Sequence, residues 1–259
     1  MSLATVDAPG GAERVRATEG PSIGRLAAIE LRKIRDTRAG KWLLALTGVF
    51  TVGFVLIVLL TGDSGDRSLA DLISASMLPV SFLPPVLAIL AMTSEWAQRT
   101  GLVSFALVPR RGRLIAAKLI ATTALALAAV ALAVFVSAIG AAISGGGAGS
   151  SSALDAIGYA IVFQVLFVSM GAAFGLAFMS TPVAVVMFFL LPSVLSALGG
   201  LIEWLREPLE WVDPNVAWLA LTEPPAAAGD WPRVATAALL MIGLPLCAGL
   251  IRLRRAEIK

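Results

Sequence analysis

The chain has 259 residues, 58% of them hydrophobic and 14% charged, with a mean hydropathy of +0.88. Soluble domains carry about 45–50% apolar and roughly 25% charged residues, so this composition excludes a soluble globular protein and predicts an integral membrane one. The net charge of +3 does not mark a nucleic-acid binder, because the basic residues line one membrane face and form no compact basic domain. One Cys and no His exclude an intrachain disulfide framework and remove the commonest metal ligand and the usual neutral-pH proton shuttle.

Residues 1–21 are polar and hold no apolar core of signal-peptide length, so a flexible N-terminal stretch with no cleaved targeting segment is expected. Residues 22–41 form the next unit, with Ser22–Arg38 reading as an interfacial helix capped by Ser22. Projected at about 100° per residue, Ile23, Leu26, Ala27, Leu31 and Ile34 share one side, while Arg25, Arg32 and Arg35 face away. Glu30 falls within the apolar sector. It reads either as a contact with a partner protein or as a local pair with Lys33, three residues on.

Six apolar blocks of spanning length follow, about Trp42–Thr61, Leu72–Thr93, Leu114–Ile143, Ile157–Met179, Val183–Leu201 and Val234–Ile251. They make residues 42–251 an all-α transmembrane domain, with 252–259 as a tail. Pro79, Pro84 and Pro85 in the second span, Pro192 in the fifth and Pro245 in the sixth each remove a helix hydrogen bond, as hinges or as static bends. Gly171 and Gly175 on one face of the fourth span admit close helix packing, either within the chain or between two chains.

Between the second and third spans lies a polar, basic stretch. Thr93 or Ser94 can cap a short helix there, with Glu95 and Gln98 in its first turn and Gly101 at its end. Pro109 breaks the chain before Arg110, Arg111 and Arg113. Gly145–Ser152 is a short flexible connection. Before the last span, Trp204, Trp211 and Trp218 recur every seven residues, although Pro208 and Pro214 predict two or three short helices instead of one. This acidic, aromatic segment reads as an interfacial belt or an external gate, with Trp204, Glu207 and Trp211 as the gate candidates.

Seventeen of the twenty Lys and Arg residues fall in residues 1–41, in the loop between the second and third spans with the start of the third, or in the tail. Arg67, Arg206 and Arg233 are the exceptions, so both termini are expected in the cytoplasm. The apolar cores of the spans hold no Asp, Glu, Arg or His, which disfavours an ion-coupled transporter, a voltage sensor and a charged-ring filter. No catalytic or metal-binding constellation stands out.

The run Thr93-Ser94-Glu95-Trp96-x-x-Arg99-Thr100, followed by Pro109-Arg110-Arg111-Gly112-Arg113 and Ala117-Lys118, resembles the permease subunits of bacterial type-2 ATP-binding-cassette (ABC) transporters. Glu30-Leu31-x-Lys33-Ile34-Arg35 with Trp42 is similar to the N-terminal interface helix of those proteins. Where this chain has Arg99-Thr100, many members carry Gly-Thr. The resemblance covers nearly the whole chain. It implies a multi-pass exporter subunit of the bacterial cytoplasmic membrane, embedded in the lipid bilayer, docked on a separate ABC ATPase and paired with a second copy or a homologous permease. Glu95, Trp96, Arg99, Thr100, Pro109, Arg110, Arg111 and Arg113 would then serve the coupling element, Glu30 and Lys33 the interface helix, and Ser180-Thr181-Pro182 a lesser contact. The chain has no Gly-x-x-x-x-Gly-Lys-Ser/Thr loop, since Gly40-Lys41 runs into Trp42, so ATP and Mg are expected on the partner and no cofactor or enzymatic activity on this chain. The alternatives are an ion-coupled secondary transporter and a membrane subunit that uses the ATPase for signalling or assembly.

Overall fold

The structure, a computed structural model, describes residues 21–62, 68–97, 111–145, 151–222 and 229–255. Residues 1–20, Arg99, Thr100, Pro109, Arg110 and the last four residues of the tail lie outside the described residues. The protein is all-α, and among the described residues six helices are long and apolar enough to cross a membrane.

Helix α1 (Ile23–Asp36) begins at Ser22, whose hydroxyl accepts the Arg25 amide at 3.3 Å. Its buried stripe is Leu26, Ala27, Glu30 and Ile34, while Ile23 and Ile29 are exposed. Thr37 ends α1 and starts α2 (Arg38–Thr61): its hydroxyl donates to the Ile34 carbonyl at 2.9 Å and accepts the Gly40 amide at 3.1 Å. Only glycine fits at position 40, because a Cβ there would lie 1.9 Å from the Ile34 carbonyl oxygen.

The interior is built from α3 (Leu69–Ala97), α4 (Arg111–Ser144) and α5 (Ser151–Phe178). Gly171 of α5 meets the Pro85 carbonyl, where a Cβ would come within 2.6 Å, and Gly175 meets Met92 and Ile89, with a Cβ 2.9 Å from that of Met92. These glycines therefore serve packing within the chain. As α5 advances from 171 to 175, its neighbours on α3 advance from 85 to 89, so the two helices run parallel.

Helix α3 does not break at its prolines and does not stop at Thr93. The expectation of a separate short helix capped by Thr93 or Ser94 is thus corrected. The Thr93 hydroxyl donates to the Ile89 carbonyl at 2.9 Å and that of Ser94 to Ala91 at 3.1 Å, bonds that Ser and Thr make inside helices. Thr93 also touches the Thr181 hydroxyl at 2.6 Å.

Met179, in the left-handed region at φ +52, turns the chain between α5 and α6 (Thr181–Leu201). Beyond α6 come α7 (Glu203–Glu210) and α8 (Pro214–Ala217), followed by a single 3₁₀ turn, Leu219–Leu221. Pro208 sits inside α7 without ending it, and Pro214 opens α8. The last span joins α9 (Asp230–Ala238), a π turn at Leu239–Gly243 and α10 (Leu244–Arg255). The wider turn gives room to Pro245, whose ring would press on the carbonyl four residues back in a regular helix.

Trp218 belongs to the core and not to an interfacial belt. It is fully buried, lies edge-on to Phe167 at 5.1 Å and donates its indole N–H to the Val234 carbonyl at 3.3 Å.

Candidate functional site

Four charged side chains from three helices converge at one end of the bundle. Glu30 and Lys33 come from α1, Glu95 from the last turn of α3, and Lys118 from the second turn of α4. The Lys118 ammonium lies 3.1 Å from Glu30 Oε2 and 3.0 Å from Glu95 Oε1, and donates to the Ala91 carbonyl at 2.7 Å. All three of its N–H bonds have an acceptor within reach. Lys33 adds two longer ion pairs, 3.9 Å to Glu30 and 3.7 Å to Glu95.

Burial decides what this cluster can do. Glu30 is 6% exposed, Glu95 3% and Lys118 2%, so none of the three presents its charge to an outside partner. Two carboxylates and two ammonium groups balance, as charges withdrawn from water must. Chemically the cluster is a brace: it fixes α1 to the end of α3 and the start of α4 through charge-assisted bonds in a low-dielectric setting. Glu30 does approach Lys33, as its local reading required, but its shorter pair is with a residue 88 positions away.

The helix that carries Glu95 ends at Ala97, and the helix that carries Lys118 begins at Arg111. The brace therefore sits on both shoulders of the 98–110 segment, where the sequence places Arg99, Thr100, Pro109 and Arg110. Trp96 is half-buried beside Glu95. Arg111 opens α4, and Arg113 donates to the Pro21 carbonyl at 2.9 Å, drawing the start of α4 against the start of α1. Thr181, at the first turn of α6, joins the same end of the bundle through Thr93.

The three gate candidates, Trp204, Glu207 and Trp211, lie on α7 and at its C-terminal end. Trp204 is 76% exposed and Glu207 is exposed on α7. Trp211 instead lies under the Arg233 guanidinium, 5.8 Å from its ring centre, and Arg233 also pairs with Glu210 at 3.4 Å. A polar contact that sequence reasoning missed is Asp213. Its carboxylate bonds to the Ser196 hydroxyl of α6 and accepts the Asn215 amide at 2.9 Å as the cap of α8. Burial pushes the Asp213 pKa up, against the opposing pull of the Ser196 and Asn215 bonds. An acid one residue before a proline was the available signal.

Among the described residues, no group of three or more His, Cys, Asp or Glu side chains is placed to hold a metal ion. Two buried groups among the described residues lack partners: both polar atoms of Gln164, in the middle of α5, and the Ser137 hydroxyl of α4. No family model matches the chain, and no curated protein matches it.

Proposed function

We propose that the chain is the membrane-spanning permease subunit of a bacterial ATP-driven exporter, of the type-2 ABC kind that its motifs resemble. In this reading both termini lie in the cytoplasm and a separate subunit hydrolyses ATP with Mg. The 98–110 segment docks on that subunit, and a second permease, identical or homologous, completes the pathway. The brace is the observation that supports it most. A segment pushed from outside moves the bundle only if its two ends are rigidly held. The Glu95–Lys118 ion pair, 3.0 Å from carboxylate to ammonium, links the two helices that flank the segment, with Glu30 tying in α1.

Within this proposal the residue roles divide. Arg99, Thr100, Pro109 and Arg110 are contact residues for the ATPase, while Glu30, Glu95 and Lys118 transmit its motion. Purifying the tagged chain from native membranes in a mild detergent tests the division. An ATPase subunit should co-purify, and Arg99→Ala with Thr100→Ala should cut its recovery about tenfold, as loss of an interface hot spot does. Glu95→Gln should leave capture largely intact and lower ATP-driven export. Finding no ATPase with the intact chain would end the proposal.

The buried carboxylates and ammonium also favour a second reading, an ion-coupled secondary transporter, since titratable groups within the helices are what such proteins use. Vesicles containing this chain alone, with an imposed proton gradient, separate the two. Solute movement there supports the second reading. Movement only with the ATPase and ATP supports the first.

A further inference from the structure

Lys33 differs from Lys118 in one respect. Its side chain is 37% exposed and its ion pairs to Glu30 and Glu95, at 3.9 and 3.7 Å, are longer than a hydrogen bond, so its ammonium can still donate to a further acceptor. It lines a half-open cleft of about 210 Å³ between α1, the start of α2 and α3. Ile34, Leu87 and Leu90 make the floor and walls apolar, and Ser94 and Thr181 add hydroxyls. Glu30 also lines it, paired with Lys118 at 3.1 Å and more loosely with Lys33 at 3.9 Å.

The surroundings carry positive charge. Arg32, Arg35, Arg38 and Lys41 are exposed around the α1–α2 corner, against Asp36 alone. Trp42, at 70% exposure, stands at the same level, where an indole ring prefers the headgroup region of a bilayer. The cleft therefore opens where a spanning helix leaves the membrane. Its apolar part suits hydrocarbon, and its polar end offers an unsaturated ammonium inside a basic rim.

We propose that this cleft is a binding site for one anionic phospholipid. The phosphate oxygens accept from Lys33, the basic rim favours a net negative headgroup, and the upper part of an acyl chain lies against Leu87 and Leu90. The bound lipid fills the angle between α1 and α3, next to the ionic brace, and so ties the position of α1 to the charge of the surrounding leaflet. The inference requires only a membrane-spanning chain and does not depend on the transport reading.

The test uses the full chain purified in mild detergent, supplied with phosphatidylglycerol, phosphatidylcholine, a free fatty acid or inorganic phosphate, with retained molecules counted by native mass spectrometry. One phosphatidylglycerol should be retained in preference to phosphatidylcholine. Lys33→Gln should reduce that retention about fivefold, the equivalent of one lysine at an anionic surface. Leu90→Trp, which fills the apolar part and leaves every charge in place, should abolish it. Thermal unfolding of both variants near that of the parent confirms that they fold. Equal retention of both phospholipids, or retention indifferent to both substitutions, overturns the proposal. Phosphate alone binding as strongly as the lipid overturns the acyl-chain part, and preferential binding of the fatty acid overturns the phospholipid assignment.

Discussion

Removing the Lys118 ammonium would leave Glu30 and Glu95 withdrawn from water with only the longer Lys33 pairs as counter-charge. Breaking a buried pair in this way costs about 3–5 kcal/mol, because the orphaned charge keeps its desolvation penalty. Lys118→Ala should therefore lower the thermal unfolding midpoint of the detergent-solubilised chain sharply. Adding Glu30→Gln and Glu95→Gln should recover much of the loss. A Lys118→Ala protein as stable as the parent would show that the cluster holds nothing together. Gln164 poses the opposite case: an amide with no partner is costly to bury, so Gln164→Leu, which is similar in size, should raise stability by about 1–3 kcal/mol. At this scale the sequence is half legible. Glu30 stood out because an acid interrupts an apolar helical face. Its pairing with Lys118 could not be read, because contact between residues 88 apart depends on how α1 lies across α4, and no local periodicity encodes that.

The corner between α1 and α2 shows what one element requires of its neighbour. Gly40→Ala would place a methyl group 1.9 Å from the Ile34 carbonyl oxygen, which has no room to move within its own helix. The corner should open and α1 should leave α4. A thiol introduced as Leu26→Cys, at a site only 7% exposed, should then react with a maleimide much faster than in the Gly40 protein. At the other end, Asp213 fastens the α8 cap to α6, and its raised pKa gives the contact a pH sense. The folded state holds the proton more tightly than the unfolded chain does, so this contribution to stability falls as pH rises above the ordinary value of 3.8 and levels off once the folded carboxyl ionises. Unfolding midpoints across the acidic range should follow that trend, and Asp213→Asn should remove it.

Helix existence and order were readable because each span is a long apolar block: the first is expected from Trp42 to Thr61 and observed from Arg38 to Thr61. The end of α3 was misjudged because Thr and Ser favour both a helix start and back-bonding within a helix, and only the neighbours at Ile89 and Ala91 decide which occurs. The segment before the last span showed the same limit. A seven-residue spacing of tryptophans could not reveal that Trp204 is largely exposed and Trp218 fully enclosed, since their distances from the core depend on how α7 and α8 fold back.

Across the whole molecule burial is unevenly shared. In the most apolar stretch of each span, 67% of residues are enclosed for α3 and 61% for α5, against 17% for α2, 17% for α6 and 22% for the last span. Amide exchange should accordingly be slowest in α3 and α5 and faster in the outer helices, a pattern that exchange mass spectrometry in nanodiscs can read directly. The reverse order would mean that the inner pair is not the stable unit.

The glycine contacts between α3 and α5 set where movement can occur. With no side chain between the two backbones at Gly171 and Gly175, neither helix can rotate or slide without colliding with the other. The pair is therefore expected to move as one unit. Rearrangement is left to the less enclosed helices, so the thickness and fluidity of the surrounding bilayer would govern how readily they shift.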